Sequence, residues 1–426
     1  MSLLLRRLAG EVSAPLRRSL TTAASRPPWA MVYKRPVLDA SIARASLDLN
    51  EAPCVSQLSV PAHFADPDAA GSVRAASCDG LLLLDFADTR QFPPAVRELC
   101  HSSLLHMMAA AGAAVELDVA RFVCNPLSGQ MFRLPVPDMD AAKGSTTFGL
   151  LTQSSEGSHC PPDRFVVAQL SCREGDNRRV VRRFLSDAGE WDEPQLFVPS
   201  TTPAWRAMQI DTNHEVLAFR DRLWWVDLTW GACSVDPFSD RPEHHFLELP
   251  RGSVLPELVD VAGPPILGRH RRMGVSEGKL RYVEVSTKKD PFLISSFSLD
   301  DEGCSWTLQH EMTISISLPE KSEPVEHHMP WIAAIDPLNA NVLHLKYGRI
   351  VLAVDMAKGK VIGSCSFPDS ITHLSMHNSS LVPCVLPTWL ESDPIPGAGA
   401  LSSKTNNCTR KTLADMLVRV DKDRKN

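Results

Sequence analysis

Short apolar runs that end in an acid recur along the chain: Leu81-Leu82-Leu83-Leu84-Asp85, Leu223-Trp224-Trp225-Val226-Asp227, Leu280-Arg281-Tyr282-Val283-Glu284 and Ile350-Val351-Leu352-Ala353-Val354-Asp355. Each follows a turn-forming pair, Asp79-Gly80, Arg220-Asp221, Glu277-Gly278 or Tyr347-Gly348, so each reads as a strand opened by a turn. A hydrophobic residue before proline recurs as Leu134-Pro135, Val198-Pro199, Leu249-Pro250, Leu318-Pro319 and Phe367-Pro368. A polar glycine turn leading to tryptophan occurs twice, from Phe184 to Trp191 and from Phe297 to Trp306. The two tryptophans are 115 residues apart, as are Leu134-Pro135 and Leu249-Pro250.

Strand-rich units of roughly 40 to 50 residues, each with its own turn and aromatic anchor, are the signature of a β-propeller, whose single blades cannot bury both faces alone. The expected fold is all-β, a β-propeller-like repeat of short antiparallel strands. The competing architecture is a pair of two-sheet sandwiches, which also uses short, turn-punctuated strands. Insertions at Ser154 to Pro162 and Glu320 to Pro330 account for uneven spacing. Helix is expected only at Pro93 to Ala114 and Thr412 to Lys425. The organisation reads as a transit-peptide-like segment over 1–35, a linker or first strand over 36–72, the propeller-like domain over 73–390, and a flexible tail with a short helix over 391–426.

Composition supports this reading and separates the head from the body. The 426 residues include 33 prolines, which suits many turn-ended strands. Net charge is −6, without the basic excess of a nucleic-acid footprint. Residues 1–35 hold seven cations against Glu11 alone, a net +6 that leaves −12 on the rest. Arg6, Arg7, Arg17 and Arg18 beside Leu3, Leu4, Leu5 and Leu8, followed by the small stretch Ser19 to Ser25, match an organelle transit peptide. The arginine density and early leucines point to mitochondria, with chloroplast or cytoplasm as the alternatives. Cleavage is expected between Ser19 and Ala30. Two arginines break the apolar run too early for a secretory core of ~7 residues, and no stretch approaches the ~18 uncharged apolar residues of a membrane span.

The run Asp221 to Gly231, with Asp236-Pro237-Phe238, Phe246 to Pro250, Gly274 to Tyr282 and Trp331 to Pro337, resembles the plant family, expanded in grasses, built on the domain of unknown function 1618. The resemblance covers roughly residues 73 to 370. It implies a propeller-like protein of a family with no assigned catalytic residues. Val123 to Gly129 followed by Leu134-Pro135 also resembles the opening of an F-box-associated propeller domain, more distantly. Residues 1–60 lack the apolar helical pattern of an F-box.

No local motif points to chemistry, so no catalytic, cofactor or metal residues are expected. Gly274-Val275-Ser276-Glu277-Gly278 fits the formula of a nucleophile elbow, but that elbow needs a strand before the serine and a helix after it. Here Arg269 to Arg272 precede it and a strand follows, so a hairpin is expected. His244-His245 and His327-His328 would point to opposite faces of a strand, and His373 with His377 would share an ion only on a helix. The eleven cysteines lack any CxxC pair, which argues against zinc and against a disulfide framework and suits buried thiols in a reducing compartment. Trp224 and Trp225 should face opposite sides of one strand. They read either as wedges between blades or as a stacking platform for a ligand. Asp227 and Asp236 read as turn caps. Two functions follow: a noncatalytic module for an unknown protein partner, or an enzyme whose residues converge on a propeller channel from separate blades, hydrolase-like with an unknown substrate.

Overall fold

Where the turn pairs and apolar runs stand, strands form and gather into small sheets. The computed structural model describes residues 26–65, 69–88, 90, 118–136, 148–155, 160–172, 179–199, 215–256, 267–286, 291–315, 329–367 and 381–397. The chain opens with β1 (Trp29–Tyr33), β2 (Val37–Asp39), β3 (Ser46–Asp48) and β4 (Val55–Pro61). Blade one then holds β5 (Ala70–Ala76), β6 (Leu82–Ala87), β7 (Val119–Cys124) and β8 (Met131–Arg133). Blade two is β9 (Phe148–Gln153), β10 (Arg164–Cys172), β11 (Arg179–Leu185) and β12 (Glu190–Asp192). Blade three is β13 (Val216–Phe219), β14 (Arg222–Asp227), β15 (Gly231–Val235) and β16 (His245–Glu248). Blade four is β17 (Arg271–Ser276), β18 (Lys279–Val285), β19 (Phe292–Leu299) and β20 (Trp306–Ile314). Blade five is β21 (Trp331–Ile335), β22 (Val342–Tyr347), β23 (Ile350–Asp355) and β24 (Lys360–Ser366), and β25 (Leu381–Val385) follows.

These five blades are antiparallel meanders, each in chain order. Their first strands β5, β9, β13, β17 and β21 touch in succession, and β25 completes the cycle by touching both β21 and β5. That closed cycle makes the molecule a propeller and excludes the sandwich. The sixth blade is built from both ends of the chain: β25 lies innermost and pairs antiparallel with β1, Trp29 opposite Val385 and Tyr33 opposite Leu381. Beyond β1 comes β4, which runs parallel to both β1 and β2 and antiparallel to β3. The closing blade is therefore mixed, unlike the other five. Residues 29–61, which the sequence reading sets apart from the 73–390 body, supply its outer strands.

The core lies between blades. Trp225 is fully buried on the blade-two side of β14 with Leu151, Val166 and Leu170, while Trp224 faces blade four with Met273, Leu280 and Tyr282. Alternation along one strand thus makes two wedges from adjacent tryptophans. Gly149 on β9 is needed at the first of these contacts, since a Cβ there would stand 2.4 Å from a Val216 methyl. β1 is buried on both sides: Trp29, Met31 and Tyr33 pack toward blade five, Ala30 and Val32 toward the opposite side. The 115-residue spacing has a direct structural reason. The Trp191 indole donates to the Pro135 carbonyl at 2.7 Å, and the Trp306 indole donates to the Glu248 carbonyl at 2.8 Å. Each joins an outer strand to the end of the preceding blade, two blades apart in the ring.

Three sequence expectations are corrected. Ile350–Asp355 is a third strand of its blade, whereas the other three runs supply second strands; its turn, Tyr347-Gly348, joins the second strand to the third. The cysteine pattern hides one disulfide, Cys54–Cys365, which ties the closing blade to β24 across 311 residues of sequence. Sequence spacing cannot reveal a bridge that only ring closure creates. A short helix, Leu267–His270, precedes β17 at a position with no helical pattern. The expected helices at 93–114 and 412–425, most of the 1–35 segment and most of the 391–426 tail lie outside the described residues.

Candidate functional site

Five of the six inner strands, β5, β13, β17, β21 and β25, line a cavity of about 280 Å³ at the ring centre. Inner strands expose alternate residues to it, because side chains on a strand alternate between faces. Arg74 and Ala76 on β5, and Pro383 and Val385 on β25, are the partly exposed members of otherwise buried strands. Leu217, Gly274, Ile335, Pro337 and Leu338 complete a mostly apolar wall. The hairpin Gly274 to Gly278 borders this cavity as a tight turn. Glu277 and Gly278 both take positive φ, 48° and 69°, which matches the twist of a two-residue hairpin. Ser276 is buried and donates to the Asp336 carbonyl at 2.6 Å, so it is not presented as a nucleophile.

One charged cluster lines the cavity. Glu215, just before β13, accepts from Arg272 at 2.9 and 3.2 Å and from Lys34 at 3.3 Å. Arg272 also donates to the Leu381 carbonyl at 2.8 Å and to the Ala333 carbonyl, which fixes its guanidinium across three blades. Burial pushes the Glu215 carboxyl upward, but Arg272 and Lys34 outweigh it and hold the group below the ordinary carboxylate range. Arg74 also reaches the cavity and donates to the fully buried Asp85 at 2.9 Å. Asp85, the acid ending the first apolar run, also lies 3.3 Å from Arg121.

A second polar corner stands at the turn after β5. Thr152 donates to Asp79 at 2.6 Å, and the Cys78 sulfur lies 3.5 Å from the Thr152 hydroxyl. This Cys-Thr-Asp series resembles a relay; enclosure by neighbouring groups and the Asp79 charge push the Cys78 thiol up to about 11, although the residue keeps a solvent-exposed face.

Among the described residues lining the cavity, Glu215 is the one acid, and there is no histidine. His244 is buried away from it, beside Arg179 at 3.4 Å, and burial together with Arg179 pushes it down to about 4. His245 points outward toward Glu243, so the pair does face opposite ways. His327, His328, His373 and His377 lie outside the described residues. Among the described residues no group of three His, Cys, Asp or Glu side chains could hold a metal, and no helix is long and apolar enough to cross a membrane. Asp227 accepts from the Thr229 amide and hydroxyl, and Asp236 from the Phe238 amide, so both cap turns. Trp230 packs on Phe246 at 4.4 Å and is buried with Trp225. None of the three tryptophans lines the cavity, which favours the wedge over the stacking platform.

The sequence reading missed Lys34, Arg74, Glu215 and Arg272. A signal was there: Arg74, Glu215 and Arg272 each stand five positions before a turn pair, Asp79-Gly80, Arg220-Asp221 and Glu277-Gly278. Charges at that repeated place on innermost strands point at the ring axis.

Among known proteins, the family described as protein of unknown function (DUF1618) matches residues 225–344, the segment that carries β14 through β22. Similar solved structures include a lectin of Aleuria aurantia, 11% identical over 71% of this chain and 79% of that one, with a TM-score of 0.34. The β-propeller domain of Cps50 (Swd1) from Myceliophteria thermophila is 10% identical over 80% and 90%, at 0.32. An α-L-arabinanase of Penicillium chrysogenum complexed with arabinobiose is 12% identical over 78% and 84%, at 0.32. No curated protein matches the chain.

Proposed function

We propose that this propeller, whose resemblance to the domain of unknown function 1618 holds over residues 225–344, is a noncatalytic protein-interaction module that works inside mitochondria. The observation that carries the reading is the state of the channel's titratable groups. Its one described carboxylate is fixed between two cations. General acid-base catalysis needs a group free to change its proton near neutral pH, and the two cations hold this carboxylate away from it. An apolar wall with Leu338 exposed at its edge, and exposed Leu308, Val361 and Ile362 on outer strands, suit recognition. The mitochondrial part rests on the basic, acid-poor head. Cleavage ahead of Arg26 would leave the closing blade whole, since Arg26 donates to the Leu386 carbonyl at 2.8 Å.

Proximity labelling with a labelling enzyme fused to the C-terminus tests both parts. The expected neighbours are mitochondrial proteins, with a reproducible subset lost on Leu338→Asp. Changing Arg6, Arg7, Arg17 and Arg18 to Gln should move the labelled set to the cytosol. Neighbours indifferent to Leu338→Asp would sink the interaction reading at this rim, and a cytosolic set for the unaltered chain would sink the compartment.

A further inference from the structure

We infer that Lys346 is a reactive amine at the seam between blade five and the closing blade, and that it is a site of covalent acylation by small acyl thioesters. The residue lies on β22 opposite Trp331 of β21 and Val351 of β23, and only 7% of it is exposed. Its Nζ stands 4.1 Å from the Trp331 ring centre and 5.8 Å from that of Phe367. Phe367 in turn meets Tyr33 of β1 edge-on at 6.2 Å. Among the described residues this ammonium has neither a carboxylate partner nor a hydrogen-bond acceptor. Nζ is nonetheless not one of the fully enclosed polar atoms, so it keeps contact with solvent. A second cation crowds the same ring: the Arg269 guanidinium, from the short helix Leu267–His270, also lies 4.1 Å from the Trp331 centre. His270 beside it is turned to the Pro330 carbonyl at 3.2 Å.

These surroundings work against the charged form of the lysine. Aromatic faces attract a cation, but they offer no lone pair in place of the water that burial removes, and Trp331 also serves Arg269. Desolvation, with the Arg269 charge second, pushes the amine down to about 8. An appreciable share therefore carries its lone pair near neutral pH. A lysine that is both desolvated and beside another cation is the pattern of an activated amine nucleophile. In the reaction the Nζ lone pair attacks the thioester carbonyl, the C–S bond breaks, and the proton released from nitrogen leaves with the thiol, so the products are an amide and a free thiol. Acylation suits this place better than condensation with an aldehyde. The amide is neutral and ends the repulsion from Arg269, whereas an imine is readily protonated, which restores the charge that burial disfavours.

Treating the full chain with N,S-diacetylcysteamine and following each lysine peptide by mass spectrometry tests this inference. Lys360, exposed on β24 of the same blade, is the internal reference. At neutral pH Lys346 should gain its acetyl group at least about fivefold faster than Lys360. Its rate should level off above about pH 8, while that of Lys360 climbs on toward ~pH 10, where an ordinary lysine titrates. Unfolding the chain in denaturant should erase the difference, since neither Trp331 nor Arg269 then stands beside the amine. Lys346→Met separates reactivity from structural support: a site that disfavours the ammonium predicts a variant that melts no lower than its parent, and a purely structural cation contact predicts a lower melt. Acetylation of Lys346 no faster than that of Lys360, two rates that climb in parallel with pH, an advantage kept in denaturant, or a destabilised Lys346→Met would each overturn it.

Discussion

Replacing Trp225 with Ala is expected to cost about 3 to 5 kcal/mol, the range for emptying a buried aromatic site. The ring is fully buried between blades two and three among Leu151, Val166, Ala168, Leu170 and Val235. Strand backbones on both sides fix the walls of that space, so they cannot collapse into the gap. A chain of this size should melt roughly 3 to 6 °C lower. Leu338→Ala serves as the comparison: Leu338 is 46% exposed, and surface truncations of this kind stay within about 0.5 kcal/mol. A Trp225→Ala protein that melts like its parent would mean that blades two and three do not meet through this side chain.

Features that depend on neighbouring residues were legible in the sequence. The turn pairs, the strands after them and the opposite facing of Trp224 and Trp225 need only local geometry. The ambiguous formula around Ser276 was resolved by its context, and the structure has the hairpin. Features that depend on distant pairing were hidden. β1 reads as a bare apolar pentapeptide because its partner, β25, begins at Leu381. The Cys54–Cys365 bridge exists only because those two ends meet. The channel cluster draws Lys34, Glu215 and Arg272 from three blades; Glu215 and Arg272 share a place five positions before a turn pair, but nothing along the chain announces that Lys34 joins them. Ile350–Asp355 shows the converse problem: a third strand carries the same apolar pattern as a second, so its place in the blade could not be read locally.

The second large effect concerns the N-terminal strand. A chain starting at Arg26 should fold like the full protein, and one starting at Lys34 should not fold. Removing Trp29–Tyr33 strips five buried residues from the seam and leaves β25 without its antiparallel partner. At about 1.5 to 3 kcal/mol for each large apolar side chain, the loss is on the order of 10 kcal/mol, comparable to the whole stability of a typical domain. Sharp unfolding transitions and tryptophan fluorescence distinguish the two chains. A cooperative melt from the chain starting at Lys34, matching that of the longer one, would show that β1 is an ornament on an already closed ring.

The account turns on ring closure, since the cavity and its charged cluster exist only if β25 and β1 seal the sixth blade. Hydrogen-deuterium exchange of the intact protein, resolved to peptides by mass spectrometry, measures this directly. The amides of Trp29–Tyr33 should exchange as slowly as those of Leu381–Val385 and of Leu82–Ala87 inside blade one, because all open only with the ring. Exchange of Trp29–Tyr33 within seconds, while blade one stays protected, would contradict it.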